Sequence, residues 1–220
     1  MEHVKIAYKQ LFSDRTFWFS VVVAFILLFA SFGANYAAGV FATENVSNPV
    51  TDVILDNVKV RDVDEIFIYG PMVLWMFVIF LLLYYPHKIP FTVKSIAIFI
   101  FIRSVFISLT HIAPFPGQPV LPPSDVTQLF TFGGDLFFSA HTGLPFLLAL
   151  LFWNIRTLRY IFLITSILFG VVVLLGHYHY SIDVFGAFFI TYAIAAVARV
   201  LFKKDLETFM SSPPAVTQAG

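Results

Sequence analysis

"FGGDLFFSAHTGLPFLLALLFW" (Phe132–Trp153) joins two kinds of sequence in one stretch. From Leu144 onward it is apolar, as the interior of a bilayer requires. Its opening half carries Asp135 and His141, and a charged side chain at the centre of a membrane helix costs roughly 2.5–3.5 kcal/mol on insertion scales. Ionisable groups at such positions face a bundle interior or a wet cavity and mark functional sites. The stretch predicts a membrane helix whose opening end is a polar site.

Composition agrees with that reading. The chain has 220 residues, 59% hydrophobic and 12% charged, with 28 phenylalanines, and its mean hydropathy is +0.87. Soluble domains carry about a quarter charged residues, so this is the composition of an integral membrane protein. Formal net charge is zero, and global charge points to no nucleic-acid partner. There are no cysteines, which removes disulfides, thiolate nucleophiles and zinc–cysteine sites and leaves the redox compartment open.

Six runs are long enough to span, given that roughly 20 apolar residues cross the hydrocarbon. They lie near Thr16–Tyr36, Glu65–Tyr85, Phe91–Ala113, Phe137–Asn154, Leu158–Leu175 and Tyr180–Phe202. The runs are continuous rather than alternating, which predicts helices and not a β-barrel. The apolar core of the first run exceeds the roughly 7–15 residues of a signal-peptide core and reads as a retained span. Lys5, Lys9 and Arg15 precede the first span, and Lys88 and Lys94 lie between the second and third. Arg156 and Arg159 lie between the fourth and fifth, and Arg199, Lys203 and Lys204 close the sixth. The alternate loops are poorer in Lys and Arg, so the positive-inside rule places both termini in the cytoplasm. The expected fold is an all-α integral membrane protein, a bundle of six transmembrane helices over residues 1–210. A flexible tail, "SSPPAVTQAG", follows at 211–220.

With that orientation, the starts of spans four and six and the end of span three share the outer side. Span three carries Arg103 in "FIFIRSVFISLTHIAPFPG", with His111 further out, and span six opens "GHYHYSIDVFGAFF". Read as a helix, the latter puts His179 and Asp183, four apart, on one face and turns His177 elsewhere. A carboxylate beside an imidazole holds one ring nitrogen as N–H and leaves the other free. Attack on a phosphoryl group needs a nucleophile, an acid for the leaving oxygen and positive charge for the phosphoryl oxygens. His179 supplies the first and forms a phosphohistidine, with Asp183 holding its tautomer. His141 protonates the leaving group, and Arg103 stabilises the phosphate. Asp135, Arg103, Ser139 and His111 are the expected substrate contacts. Taken singly, Asp135 also suits a helix N-terminus, Ser139 a helix start and His111 the headgroup layer. No metal and no cofactor are expected. A site at headgroup depth suits a lipid phosphate.

The pairing of "SAHTG" with "HYHYSID" resembles the histidine motifs of the lipid phosphate phosphatase (PAP2) superfamily, and more closely its sphingomyelin synthase branch. The branch's pattern is met by Gly134-Asp135, "LFFSA", His141-Thr142 and the run ending at Asp183. Arg103 and the exit "PFPG" resemble that branch's arginine-bearing third span. The likeness covers roughly Arg103 to Lys204. It implies His141 and His179 as the two catalytic histidines, Asp183 as the supporting aspartate, and Asp135 in or beside the site. It also implies six spans, a metal-free phosphohistidine mechanism, and a phospholipid headgroup passed to a lipid alcohol such as ceramide or diacylglycerol, or to water. The superfamily's phosphatase majority carries Pro-Ser-Gly-His where this chain has Phe-Ser-Ala-His, and an arginine where Val173 stands. That departure counts against hydrolysis of a phosphomonoester dianion. Against the synthases, Ala140 replaces a usual glycine, which leaves the acceptor open. The small size suggests a bacterial homologue in the inner membrane with its site on the periplasmic side.

Other readings stay open at this point. One is a lipid phosphate phosphatase. Another is a transporter or lipid-binding scaffold that uses the same polar groups for binding. A third is a metal site on His111, His141, His177 and His179. The expected partners are the membrane, a phospholipid and a lipid alcohol. Headgroup and oligomeric state are not written in the sequence.

Overall fold

Asp14 sets where the first span begins. Its carboxylate accepts the Thr16 N–H at 2.8 Å, an N-cap that separates the short helix α1 (Glu2–Ser13) from the 30-residue α2 (Arg15–Glu44). The structure, a computed structural model, describes residues 2–118 and 136–211. The chain continues through α3 (Asp64–Tyr84), a 3₁₀ turn (Pro86–Lys88) and α4 (Ile89–Leu109). Beyond the undescribed segment come α5 (Ala140–Leu151), α6 (Arg156–Leu175), α7 (Ser181–Leu201) and α8 (Lys203–Met210). Regular structure among the described residues is entirely helical. Of the expected tail at 211–220, residues 212–220 lie outside them.

Among the described residues, five helices are long and apolar enough to cross a membrane: α2, α3, α4 with its leading turn, α6 and α7. Their outward faces carry Phe19, Phe29, Phe80, Ile164, Phe189 and Val200, each more than half exposed. Apolar surface on this scale belongs against lipid. The expected fourth span, Phe137–Asn154, is helical over only part of its length. Its helix is the 12-residue α5, about 18 Å long at 1.5 Å per residue and short of the roughly 30 Å hydrocarbon core. Local chemistry explains the shortening. The Ser139 hydroxyl accepts the Thr142 N–H and starts the helix there, so Phe137 and Phe138 approach it in non-helical backbone. The helix ends at Leu151, with Phe152 as its C-cap.

α5 sits inside the bundle, packed on α6 and α7 and touching α4, while α2 runs along α4 and α3 leans on α6. Phe99, Phe138, Leu147, Leu148, Phe162 and Ile194 form the centre of the core. Gly143 permits the close packing of α5. A Cβ there would lie 2.7 Å from the Phe99 ring and 2.9 Å from Thr191 Oγ1. Gly143→Val therefore destabilises by about 1–3 kcal/mol through overpacking. Gly33→Ala, where nothing lies within 4 Å, leaves stability level or slightly raised. Thermal melts of the two variants in detergent check the contrast.

The two ends of the bundle differ. At one, Lys94 pairs with Asp205 at 2.6 Å and donates to Ser20. Lys88 donates to the Phe209 carbonyl at 2.6 Å, and Arg199 to the Leu150 carbonyl at 2.9 Å. Lys88 and Lys94 are buried and pin α8 to the bundle, so these two members of the basic set serve the fold directly. At the other end, residues 45–63 close over the turn between α6 and α7. Arg61 N–H donates to the Leu175 carbonyl at 2.8 Å, and Val50 N–H to the Tyr180 hydroxyl at 3.3 Å.

Candidate active site

The run "GHYHYSID" is a turn followed by a helix start, and not the continuous helix expected from its spacing. α6 ends at Gly176. His177 follows with φ of +56°, its N–H donating to the Leu174 carbonyl and the Tyr178 N–H to that of Val173. This is the Schellman pattern, which satisfies the last carbonyls of a helix and reverses the chain. Tyr180 is then the N-cap of α7, and Asp183 is its third residue. The Asp183 carboxylate reaches back to accept the Tyr180 N–H at 2.9 Å, the side-chain half of a capping box. So the four-residue spacing brings His179 to Asp183 through cap geometry. His179 Nδ1 lies 3.4 Å from Asp183 Oδ2, close enough for charge pairing and longer than a hydrogen bond needs. Both residues are buried.

A second carboxylate holds the same helix start. Asp52, from the covering loop, accepts the Ser181 N–H at 2.6 Å and the N–H groups of Ile54 and Leu55 at 2.9 and 3.1 Å. Burial raises its carboxyl, and these donors outweigh burial to hold it below the ordinary aspartate value. A lowered folded pKa gives stability that is complete above the ordinary value of about 3.8 and lost as pH falls through the lower folded one. Asp52→Asn keeps the shape and removes the charge. It is less stable than wild type by about 1 kcal/mol at neutral pH, the gap between charged and neutral hydrogen bonds. Paired melts from neutral to acid show the difference closing below the ordinary aspartate value.

His141 stands on the first turn of α5, directly after Ser139 and Ala140. Its ring centre lies 6.4 Å from that of His179, so two separate segments bring the histidines together. Backbone fixes the approach, since Ser139 N–H donates to the Asp183 carbonyl at 3.1 Å. The His141 ring stacks on Phe67 of α3 at 4.3 Å, and its Nε2 lies 3.3 Å from the Phe67 carbonyl oxygen. Phe67 stacks in turn on Tyr178 at 4.1 Å, whose hydroxyl donates to Asp64 at the start of α3. Burial, with Asp64 accepting that bond, keeps the Tyr178 phenol above its ordinary pKa and protonated.

Arg103 points into this end of the bundle and is buried. Its Nε donates to the Phe138 carbonyl at 2.9 Å and its Nη1 to Asn35 at 3.2 Å. Ser139 is fully buried as the helix cap. His111 stands apart, with its ring against Phe41 and Nε2 at 2.9 Å from the Ser108 carbonyl. His177 turns away from the pair and is buried under the covering loop, Nε2 3.0 Å from the Val58 carbonyl and its ring on Phe115. Among the described residues no three His, Asp or Glu gather as metal ligands. Asp135 lies outside the described residues.

Several contributors were not singled out from the sequence. Asp52 is one of several acidic residues in the loop 45–63, with nothing in its neighbours to single it out. Asn35 is a lone amide in an apolar span, a signal of the same kind as Arg103. Phe67 carries no chemical signature, although Gly70-Pro71 just beyond it interrupts an apolar run. Residues 133–200 match the family model described as PAP2 superfamily C-terminal. That stretch carries Ser139, His141, His179 and Asp183, and the match supports membership of the PAP2 superfamily and a lipid enzyme of the phosphatase or phosphotransferase type. No curated protein and no solved structure matches the chain.

Proposed function

We propose that this protein is a membrane enzyme that moves the phospho-headgroup of a phospholipid to a lipid alcohol or to water, in the manner of sphingomyelin synthases. The observation that carries the reading is the meeting of His141 and His179, 6.4 Å between ring centres, with Asp183 behind His179 at 3.4 Å. One phosphoryl group can bridge two imidazoles at that spacing. His179, oriented through Nδ1 by Asp183, attacks phosphorus through Nε2. The P–N bond forms as the P–O bond to the lipid breaks, and His141 gives its proton to the leaving oxygen. The acceptor hydroxyl then returns a proton to His141 and displaces the headgroup phosphate from His179. Arg103 adds positive charge for the phosphoryl oxygens. Helices α5 and α7 both begin here, and their N-terminal dipoles favour an anion. By the Lys and Arg distribution the site faces the outer side, at the headgroup layer.

The match at superfamily level also admits a second reading, a lipid phosphate phosphatase. Val173 weighs against it. It stands where the phosphatase majority carries arginine, and it is fully buried with Phe67, Tyr178 and Val184, an apolar setting unsuited to a dianion. Vesicles holding headgroup-labelled phosphodiester lipids and labelled phosphatidic acid, with and without diacylglycerol or ceramide, separate the two. The proposal expects headgroup phosphate to leave the diester lipid and to appear on the added alcohol. Release of inorganic phosphate from phosphatidic acid with the diester untouched establishes the phosphatase instead.

A further inference from the structure

Pro71 lies inside α3. In a helix each N–H donates to the carbonyl four residues back. Proline has no N–H, so the carbonyl of residue 67 loses its helical donor. That carbonyl oxygen is the atom 3.3 Å from His141 Nε2. The preceding residue sets the approach. A Cβ on Gly70 would lie 2.8 Å from the Phe169 ring, so α3 comes this close to α6 because residue 70 has no side chain. Gly70 thus brings the Phe67 ring onto His141, and Pro71 leaves the Phe67 carbonyl available to it. A carbonyl oxygen only accepts. The contact therefore requires a proton on Nε2, and Nδ1 is the nitrogen left to exchange a proton with substrate.

We propose that Pro71 is a positioning residue: it frees the Phe67 carbonyl to hold His141 with Nε2 protonated, so that Nδ1 serves the leaving lipid. This rests on the reading of His141 as the general acid. In the first step the imidazolium gives its Nδ1 proton to the lipid oxygen as the P–O electron pair moves onto that oxygen and His179 Nε2 bonds to phosphorus. His141 is left neutral, its remaining proton on Nε2 shared with the Phe67 carbonyl. In the second step the acceptor hydroxyl gives its proton to Nδ1 as its oxygen bonds to phosphorus and the P–N bond breaks. Each turnover restores the imidazolium.

Pro71→Ala tests this in full-length protein in nanodiscs. The new N–H competes for the Phe67 carbonyl, and α3 gains a hydrogen bond. Histidine-selective ¹⁵N labelling reads the His141 tautomer roughly two units above the ordinary histidine pKa, with His141→Ala assigning its signals. Turnover is read on vesicles of phosphatidylcholine, phosphatidylethanolamine and phosphatidylglycerol with diacylglycerol as acceptor. Wild type shows the Nε2–H form. Pro71→Ala shows a mixture of tautomers, kcat about tenfold lower with KM within about twofold, and a melting temperature level or higher. A proline that only shapes the helix gives no tautomer change and no kcat loss in a variant of equal or greater stability, and that result overturns the proposal. Wild-type His141 carrying its proton on Nδ1 also overturns it, and needs no variant that folds. A wild type that turns over none of these lipids, with or without acceptor, ends the acid role assigned to His141 whatever the tautomer. Active wild type with the wrong tautomer ends only the positioning.

Discussion

His179→Ala loses both transfer and hydrolysis, by at least about 10⁴-fold in kcat, the scale on which removal of a covalent nucleophile acts. Neither neighbouring histidine takes its place. His141 is committed to Phe67 through stacking and Nε2, and His177 is turned to the Val58 carbonyl. Because His179 is buried and borders the Asp183 carboxylate, its removal also costs stability, so turnover is compared in protein that elutes and melts as a folded species. His177→Ala is the informative partner. It removes the residue that ends α6 with φ of +56° and holds the covering loop, so its effect falls on melting temperature, and the residual folded enzyme keeps its chemistry. A dead His177 variant beside an active His179 variant reverses the assignment.

His141→Ala lowers kcat on a phospholipid by about 10²–10⁴-fold, the range for a positioned general acid. Its signature is dependence on the leaving group. A nitrophenyl phosphodiester leaves without protonation, so the first step recovers. The second step still lacks its base, since His141 must take the acceptor's proton. The variant therefore releases one equivalent of nitrophenol in a burst and then turns over slowly. A structural role for His141 predicts equal losses on both substrates and no burst. Rapid-mixing absorbance at known enzyme concentration distinguishes them.

The fold was legible where apolar length alone decides it. α2, α3, α4, α6 and α7 fall on five of the six apolar runs, because a bilayer admits few alternatives to a long apolar helix. At Phe137–Ser139 hydropathy placed the helix start too early, while Ser139, which suits a helix start, is the cap, its hydroxyl outranking hydropathy there. The same holds for "HYHYSID". Spacing pointed to the His179–Asp183 pair, and the pair is there. The helical face invoked for it is absent, since a Schellman turn and an N-cap give that separation equally well. The meeting of His141 with the pair follows from two helix starts sharing one side. The Phe67 contact and the Asp52 cap depend on which loop folds over which turn, and pairings across 129 residues, as from Asp52 to Ser181, leave no local pattern to read.

The most direct test of the central claim is the adduct itself. Wild-type protein is mixed with a headgroup-labelled phosphodiester lipid without acceptor, quenched in alkali because phosphohistidine is acid-labile, digested and read by tandem mass spectrometry. The account predicts the headgroup phosphate on His179, lost on brief acid treatment, absent in His179→Ala and discharged when diacylglycerol or ceramide is added before the quench. A label on His141, or steady turnover of the lipid with no adduct on His179 at any time point, contradicts it.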